Sequence, residues 1–163
     1  MWTIIKFENK NFFYLRNNLI ERFKNNITIY KPKIKVVKYL KKKKFIKEIN
    51  LLGDYLFCYS KEFKDQAILR QASYIKGLKY FVQGSKFSQK EIEQFINKCK
   101  KYEDDKGYLS GNFFEFIKNK EIKLSSGPLA GLIFKILELN KNKLNFMLGN
   151  FRVSANKENL SIG

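Results

Sequence analysis

The hydrophobic pattern of this chain changes period along its length, and that change bounds the fold more tightly than any other feature. Up to about residue 102, apolar residues recur in some stretches at helical spacing and in others at alternate positions. Beyond Glu103-Asp104-Asp105-Lys106-Gly107, only short alternating runs separated by turn residues remain. A period near 3.6 marks one face of a helix and a period of 2 one face of a strand. The expectation is an α+β chain: an N-terminal domain over residues 1–102 with an antiparallel sheet and flanking helices, a linker at 103–111, and a small β-barrel at 112–163.

In the first half, Trp2–Phe7 reads as a short strand. Phe12, Leu15, Leu19, Ile20 and Phe23 share a helical stripe and predict an amphipathic helix over Asn11–Asn25. Ile27, Ile29, Ile34 and Val36 alternate, interrupted by Pro32, as one strand with an irregular start. Lys41–Lys44 reads as a turn leading into a strand near Phe45–Leu51. Gly53-Asp54 is a turn pair before Tyr55–Tyr59, an aromatic-rich core strand. A short helix over Asp65–Ser73 and a strand over Leu78–Val82 follow. Ser88 and Glu91 have capping-box spacing and open a helix, Ser88–Tyr102, whose apolar face carries Ile92, Phe95, Ile96 and Cys99. In the second half, turn residues at Asn119, Ser125-Ser126-Gly127-Pro128, Asn140–Asn142, Gly149-Asn150 and Asn156 divide the chain into short strands.

Composition removes whole classes of function. Hydrophobic residues at 44% and charged residues at 29% suit a folded soluble chain. No apolar run approaches the ~18 residues of a membrane span, and Met1–Lys6 does not resemble a secretory signal, so a cytoplasmic location is expected. Histidine is absent, which removes the commonest general base, the Ser–His and Cys–His nucleophile pairs and the commonest zinc ligand. Cys58 and Cys99 show no CxxC spacing and read as reduced thiols, Cys99 on a buried stripe. The sharpest enzyme reading is a metal nuclease built on Glu121-Ile122-Lys123 with Asp104 and Asp105. Such a tripeptide arises by chance among 29 lysines, and carboxylates need a common concave site to hold a metal. No catalytic residue, metal or cofactor is expected.

The net charge of +18 is mostly lysine, as an AT-rich genome would write into any protein. Position is more informative. Residues 1–50 carry 14 basic and 3 acidic residues, and between Lys31 and Lys47 there are nine lysines in seventeen residues with no acid. Such a block attracts phosphates without reading sequence and in a salt-sensitive way. Lys41, Lys42, Lys43 and Lys44 at its centre are the candidate nucleic-acid contacts; a solvated, compositionally lysine-rich hairpin tip is the other reading.

Several segments in order resemble the NusG family of transcription elongation and antitermination factors. They are a Trp opening the first strand, an amphipathic helix, a basic hairpin, Leu51-Leu52-Gly53-Asp54-Tyr55-Leu56-Phe57, Gly77-Leu78-Lys79-Tyr80-Phe81-Val82, the S-x-x-E helix, and Gly127-Pro128-Leu129-Ala130-Gly131, which resembles a KOW motif. The chain departs from the family's pattern at Gly53-Asp54, where Pro-Gly is usual, at Leu52, and at Phe134, where Gly is common. In these it resembles a specialised paralogue of the RfaH kind more than a housekeeping member.

The resemblance implies a non-enzymatic factor, a monomer whose N-terminal domain binds RNA polymerase across its cleft near upstream or non-template DNA and suppresses pausing. Carried over by position, the patch on the polymerase clamp involves Leu52, Tyr55 and Phe57, with Trp2 close by, and the second contact falls at Ile68, Leu69 and Arg70. The KOW resemblance implies that the barrel at 112–163 is SH3-like, and it would recruit a small-subunit ribosomal protein or Rho through Gly127, Pro128, Leu132, Met147 and Leu148. A ribosome-associated KOW RNA-binding protein is the alternative; it accounts for the charge and the barrel but not for the ordered N-terminal segments.

Overall fold

The run Trp2–Phe7 forms strand β1, and burial explains why it does not alternate cleanly: Thr3, Ile4, Ile5 and Phe7 are all buried. A strand covered on both faces reads as a short continuous apolar run. In the computed structural model, which describes residues 1–40, 43–110 and 113, β1 joins β2 (Thr28–Tyr30), β5 (Tyr55–Tyr59) and β6 (Leu78–Phe81) in an antiparallel sheet of order β2-β5-β1-β6. Its register sets Trp2 opposite Tyr59 and Lys6 opposite both Tyr55 and Tyr80. A separate two-stranded sheet pairs β3 (Lys33–Leu40) with β4 (Lys43–Asn50). Three α-helices, α1 (Phe12–Arg22), α2 (Gln66–Ala72) and α3 (Gln89–Lys101), and three short 3-10 turns accompany the sheets, an α+β architecture. None is long and apolar enough to cross a membrane. The expected barrel at 112–163 lies outside the described residues except for Phe113.

Alternation along the strands divides the core between the two faces of the sheet. Ile5, Phe7, Leu56 and Cys58 pack with Leu15 and Leu19 of α1, Ala72 of α2, Phe23 and Phe63. Ile4 and Phe57 pack on the other face with Ile92, Phe95, Ile96 and Cys99 of α3. Both cysteines are free, and burial pushes both thiols well above their ordinary pKa.

Four local expectations need correction. The helix expected to reach Asn25 stops at Arg22, because Lys24 and Asn25 take left-handed backbone angles (φ 47° and 63°) that turn the chain away. The single strand expected across Pro32 is two strands in different sheets: the Pro32 ring carries no N–H for a ladder, while its carbonyl accepts from Leu51 N at 2.8 Å. The Ser88 capping box does not form. The Ser88 hydroxyl is buried and makes no hydrogen bond to a protein atom, whereas the Gln89 carboxamide works on the strand, accepting from Trp2 N and donating to Trp2 O, both at 2.8 Å. Gln89 thereby supplies partners to β1 where β6 no longer reaches, since strand backbone groups need partners wherever water is excluded.

The fourth correction concerns residues 103–110, expected as a linker but tied to the body. Asp104 O accepts from Gly107 N at 2.8 Å, Asp104 Oδ1 accepts from Lys106 N and Tyr108 N, and Gly107 supplies the positive φ of 73°. The acidic run is a tight turn with an Asx-type brace. Beyond it Leu109 N donates to Lys33 O at 2.9 Å, and Leu109 and Phe113 are buried with Phe57 and the apolar face of α3. Tyr30 OH donates to Glu103 Oε1 at 2.5 Å, joining β2 to this segment. Burial first, and then the neighbouring Cys99 and Glu103, hold the Tyr30 phenol well above its ordinary 10.0. An unfolded chain ionises this tyrosine near pH ~10 while the folded one keeps it neutral, so folding loses stability as pH rises past that point. Between about pH 8 and about pH 11 the urea midpoint is expected to fall more steeply for wild type than for Tyr30→Phe. Equal slopes would contradict the assignment.

Gly77, between α2 and β6, is required for a close approach. At φ 91°, an added Cβ would stand 2.9 Å from Asn11 Cβ and 3.0 Å from Asn11 O. Gly77→Ala is expected to cost about 2–4 kcal/mol, from left-handed strain plus overpacking. Gly107→Ala, whose Cβ would find no atom nearer than 4.0 Å, carries only the strain of about 1–2 kcal/mol. Urea unfolding of the two variants side by side measures the difference.

Candidate functional site

α3 covers only part of its face of the sheet. It packs over Ile4 and Phe57, and the end of the face where Lys6, Tyr55 and Tyr80 meet stays open. There the Lys6 ammonium sits 5.1 Å from the Tyr55 ring centroid and 5.8 Å from that of Tyr80, the two hydroxyls lie 3.3 Å apart, and Asp54 Oδ2 is 3.8 Å from Lys6 Nζ. A hydrogen bond that the Lys6 ammonium donates to Tyr55 is the largest influence holding Lys6 above its ordinary pKa, while burial and Tyr80 raise that of Tyr55. A shallow groove continues along Tyr80, Phe81, Val82 and Gln83. Two amphipathic rings with polar tips beside a cation suit an interface anchor, apolar on its faces and hydrogen-bonding at its rim. The turn before Tyr55 is braced by Asn50, whose Nδ2 donates to Gly53 O and Tyr55 O while its Oδ1 accepts from Leu52 N.

The residues expected on the clamp-facing patch separate. Tyr55 is half-exposed at the open end. Leu52, 1% exposed, and Phe57, 0% exposed, are core residues, which corrects their expected place on the surface. The physical reason is α3, with Leu109 and Phe113, lying over that part of the sheet; the Phe57 ring is 5.7 Å from Phe95 and stacked at 6.2 Å on Tyr30. Trp2 is half-buried, its ring 5.3 Å from Tyr59 and its backbone held by Gln89. Ile68 and Leu69 of α2 are half-buried against the opposite core, and Arg70 is exposed. Tyr55 and the Ile68–Arg70 group therefore lie on opposite faces of the sheet.

The basic run falls on the two-stranded sheet. Its base is fastened to the body: Glu48 accepts from Lys33 Nζ at 3.3 Å and from Tyr108 OH at 3.1 Å, and Lys33 Nζ also lies 4.3 Å from the Tyr108 ring centroid. Those two donors hold the Glu48 carboxyl below its ordinary pKa against the opposing effect of burial. Further out, residues 45–48 are exposed. Lys43 and Lys44 open β4, and Lys41 and Lys42 lie outside the described residues. So do Gly127, Pro128, Leu132, Met147 and Leu148.

Sequence reading missed several surface residues. Tyr80 joins Tyr55 only through the β1–β6 register, which no local pattern announces. Phe13 and Tyr14 are exposed on α1, off the buried Leu15–Leu19 stripe, with Lys76 Nζ 5.1 Å from the Tyr14 ring centroid. Their position off the stripe was the available signal. A scan against protein-family models finds no match to this chain, and a search of curated proteins finds none either.

Proposed function

We propose that this chain is a transcription elongation or antitermination factor of the NusG kind, binding RNA polymerase through its N-terminal body and suppressing pausing or termination. The observation that carries the reading is the open end of the sheet at Lys6, Tyr55 and Tyr80, an amphipathic aromatic site in a segment that resembles the family's polymerase-docking element. Supporting it, Arg70 offers a contact on the other face, so one domain could bridge two walls of a cleft. The lysine-rich hairpin supplies attraction for nearby upstream or non-template DNA. The segments in order, and the α+β body that carries them, fit this reading better than a ribosome-associated KOW protein. Recruitment of a ribosomal protein or Rho by a KOW barrel belongs to the same proposal and rests on the resemblance at Gly127–Gly131.

The test is capture of purified RNA polymerase by the full chain, followed by a single-round pausing assay. Capture and shortened pauses are expected, with both effects weakened by Tyr55→Ala combined with Tyr80→Ala. Salt-sensitive binding to ribosomal RNA without polymerase capture would overturn the proposal in favour of the ribosomal reading.

A further inference from the structure

Strand β1 lies inside its sheet, and Lys6 is its one charged residue. Lysine is a poor strand residue, and the neighbours of Lys6 across the strands are rings, Tyr55 on β5 and Tyr80 on β6. An aliphatic side chain would cover those rings without bringing a charge into the sheet. Instead the ammonium stands 5.1 Å and 5.8 Å from the two ring centroids, held by cation–π attraction and by its hydrogen bond to Tyr55. An ammonium has three N–H donors. Tyr55 takes one, and the Asp54 carboxylate, at 3.8 Å, lies beyond hydrogen-bond reach. The side chains of Lys6 and Asp54 keep 28% and 37% of their surface exposed, so the charge is open to a partner. The adjoining groove of Tyr55, Tyr80, Phe81, Val82 and Gln83 contains no acid.

We propose that Lys6 reads a carboxylate on the docked protein partner, and that Asp54 stands beside the ammonium until that carboxylate replaces it. The inference rests on the reading that this end of the sheet docks on RNA polymerase. A nucleic-acid strand calls for a row of cations along its phosphates. Here one cation has a carboxylate beside it, which suits a single acid carried on an apolar protein surface. As the partner closes over the rings it excludes water, so the new pair forms in a lower dielectric than the exposed Lys6–Asp54 pair. At hydrogen-bonding distance it is charge-assisted and stronger than the loose internal pair. A partner surface without an acid at that point would leave Lys6 covered and unpaired, at a cost in affinity. The lysine thereby discriminates among apolar surfaces that the two rings alone would accept.

The test measures binding of the full chain to immobilised RNA polymerase by biolayer interferometry, from about 50 mM to about 500 mM NaCl. Lys6→Met keeps the stem and removes the charge. It should weaken binding about tenfold at low salt, the scale of one charge-assisted hydrogen bond, and flatten the salt dependence. Lys6→Arg should restore part of both. Asp54→Asn should tighten binding about threefold by removing the competing carboxylate, and should change nothing in the Lys6→Met background. Urea midpoints are expected to match wild type, because a partly exposed pair at 3.8 Å contributes little to folding. Should Lys6→Met unfold, Lys6→Arg and Asp54→Asn still decide the matter. No binding by wild type would overturn both the docking reading and this inference. Binding that Tyr55→Ala weakens and Lys6→Met does not would overturn the carboxylate contact and leave the docking surface standing. Weaker binding by Asp54→Asn would overturn the exchange of carboxylates. A Lys6→Met loss confined to a single-stranded oligonucleotide would overturn the protein partner.

Discussion

Phe57→Ala is expected to lower the stability of the chain by about 3–5 kcal/mol, the range for emptying a fully buried aromatic site. Phe57 lies on β5, inside the sheet, and packs against Phe95, Tyr30 and the residues of α3. Removing it leaves a cavity at the junction of strand and helix that close-packed neighbours cannot refill. Tyr55→Ala, two residues away on the same face, should cost stability no more than about 1 kcal/mol, because its ring lies at the open end. Its effect belongs instead to polymerase capture, where truncating an aromatic anchor commonly costs ~2 kcal/mol or more. Urea unfolding and polymerase pull-down on both variants separate the roles. An unchanged unfolding midpoint for Phe57→Ala would show that this ring does not support the fold.

Replacing Lys41, Lys42, Lys43 and Lys44 together by Gln should produce the largest change in nucleic-acid binding. Each lysine that neutralises a phosphate contributes about 0.9 to the slope of log affinity against log salt for duplex DNA, so the slope should fall by up to ~4. Affinity should drop steeply at low salt and show no dependence on sequence. The control replaces four exposed lysines elsewhere, Lys64, Lys86, Lys90 and Lys101. Equal slope losses in both quadruple variants would mean that charge acts diffusely over the whole protein. No loss in either would reduce the lysine run to composition.

These two expectations mark where local pattern stops being informative. Tyr55 and Phe57 share period, chemistry and face, and the sequence alone places them together. They part because α3, which begins only at Gln89, covers one end of the sheet and leaves the other open. The same holds for Ser88 and Gln89: the S-x-x-E spacing points to a serine cap, yet the bonds that matter run from Gln89 to Trp2, 87 positions away.

The sequence by itself determined where most elements lie, because hydrophobic periodicity is a local property: β1, β5 and the buried stripe of α3 stand where alternation and helical spacing put them. It also determined the concentration of lysine on one hairpin, which needs only counting. The tertiary structure decided which aromatics are anchors and which are core, that Pro32 divides two sheets, and that residues 103–110 are fastened to the body. The physical reason is common to all three. Burial and backbone pairing are completed by groups far away in the chain, and a residue's own neighbours in sequence do not say which distant surface will cover it.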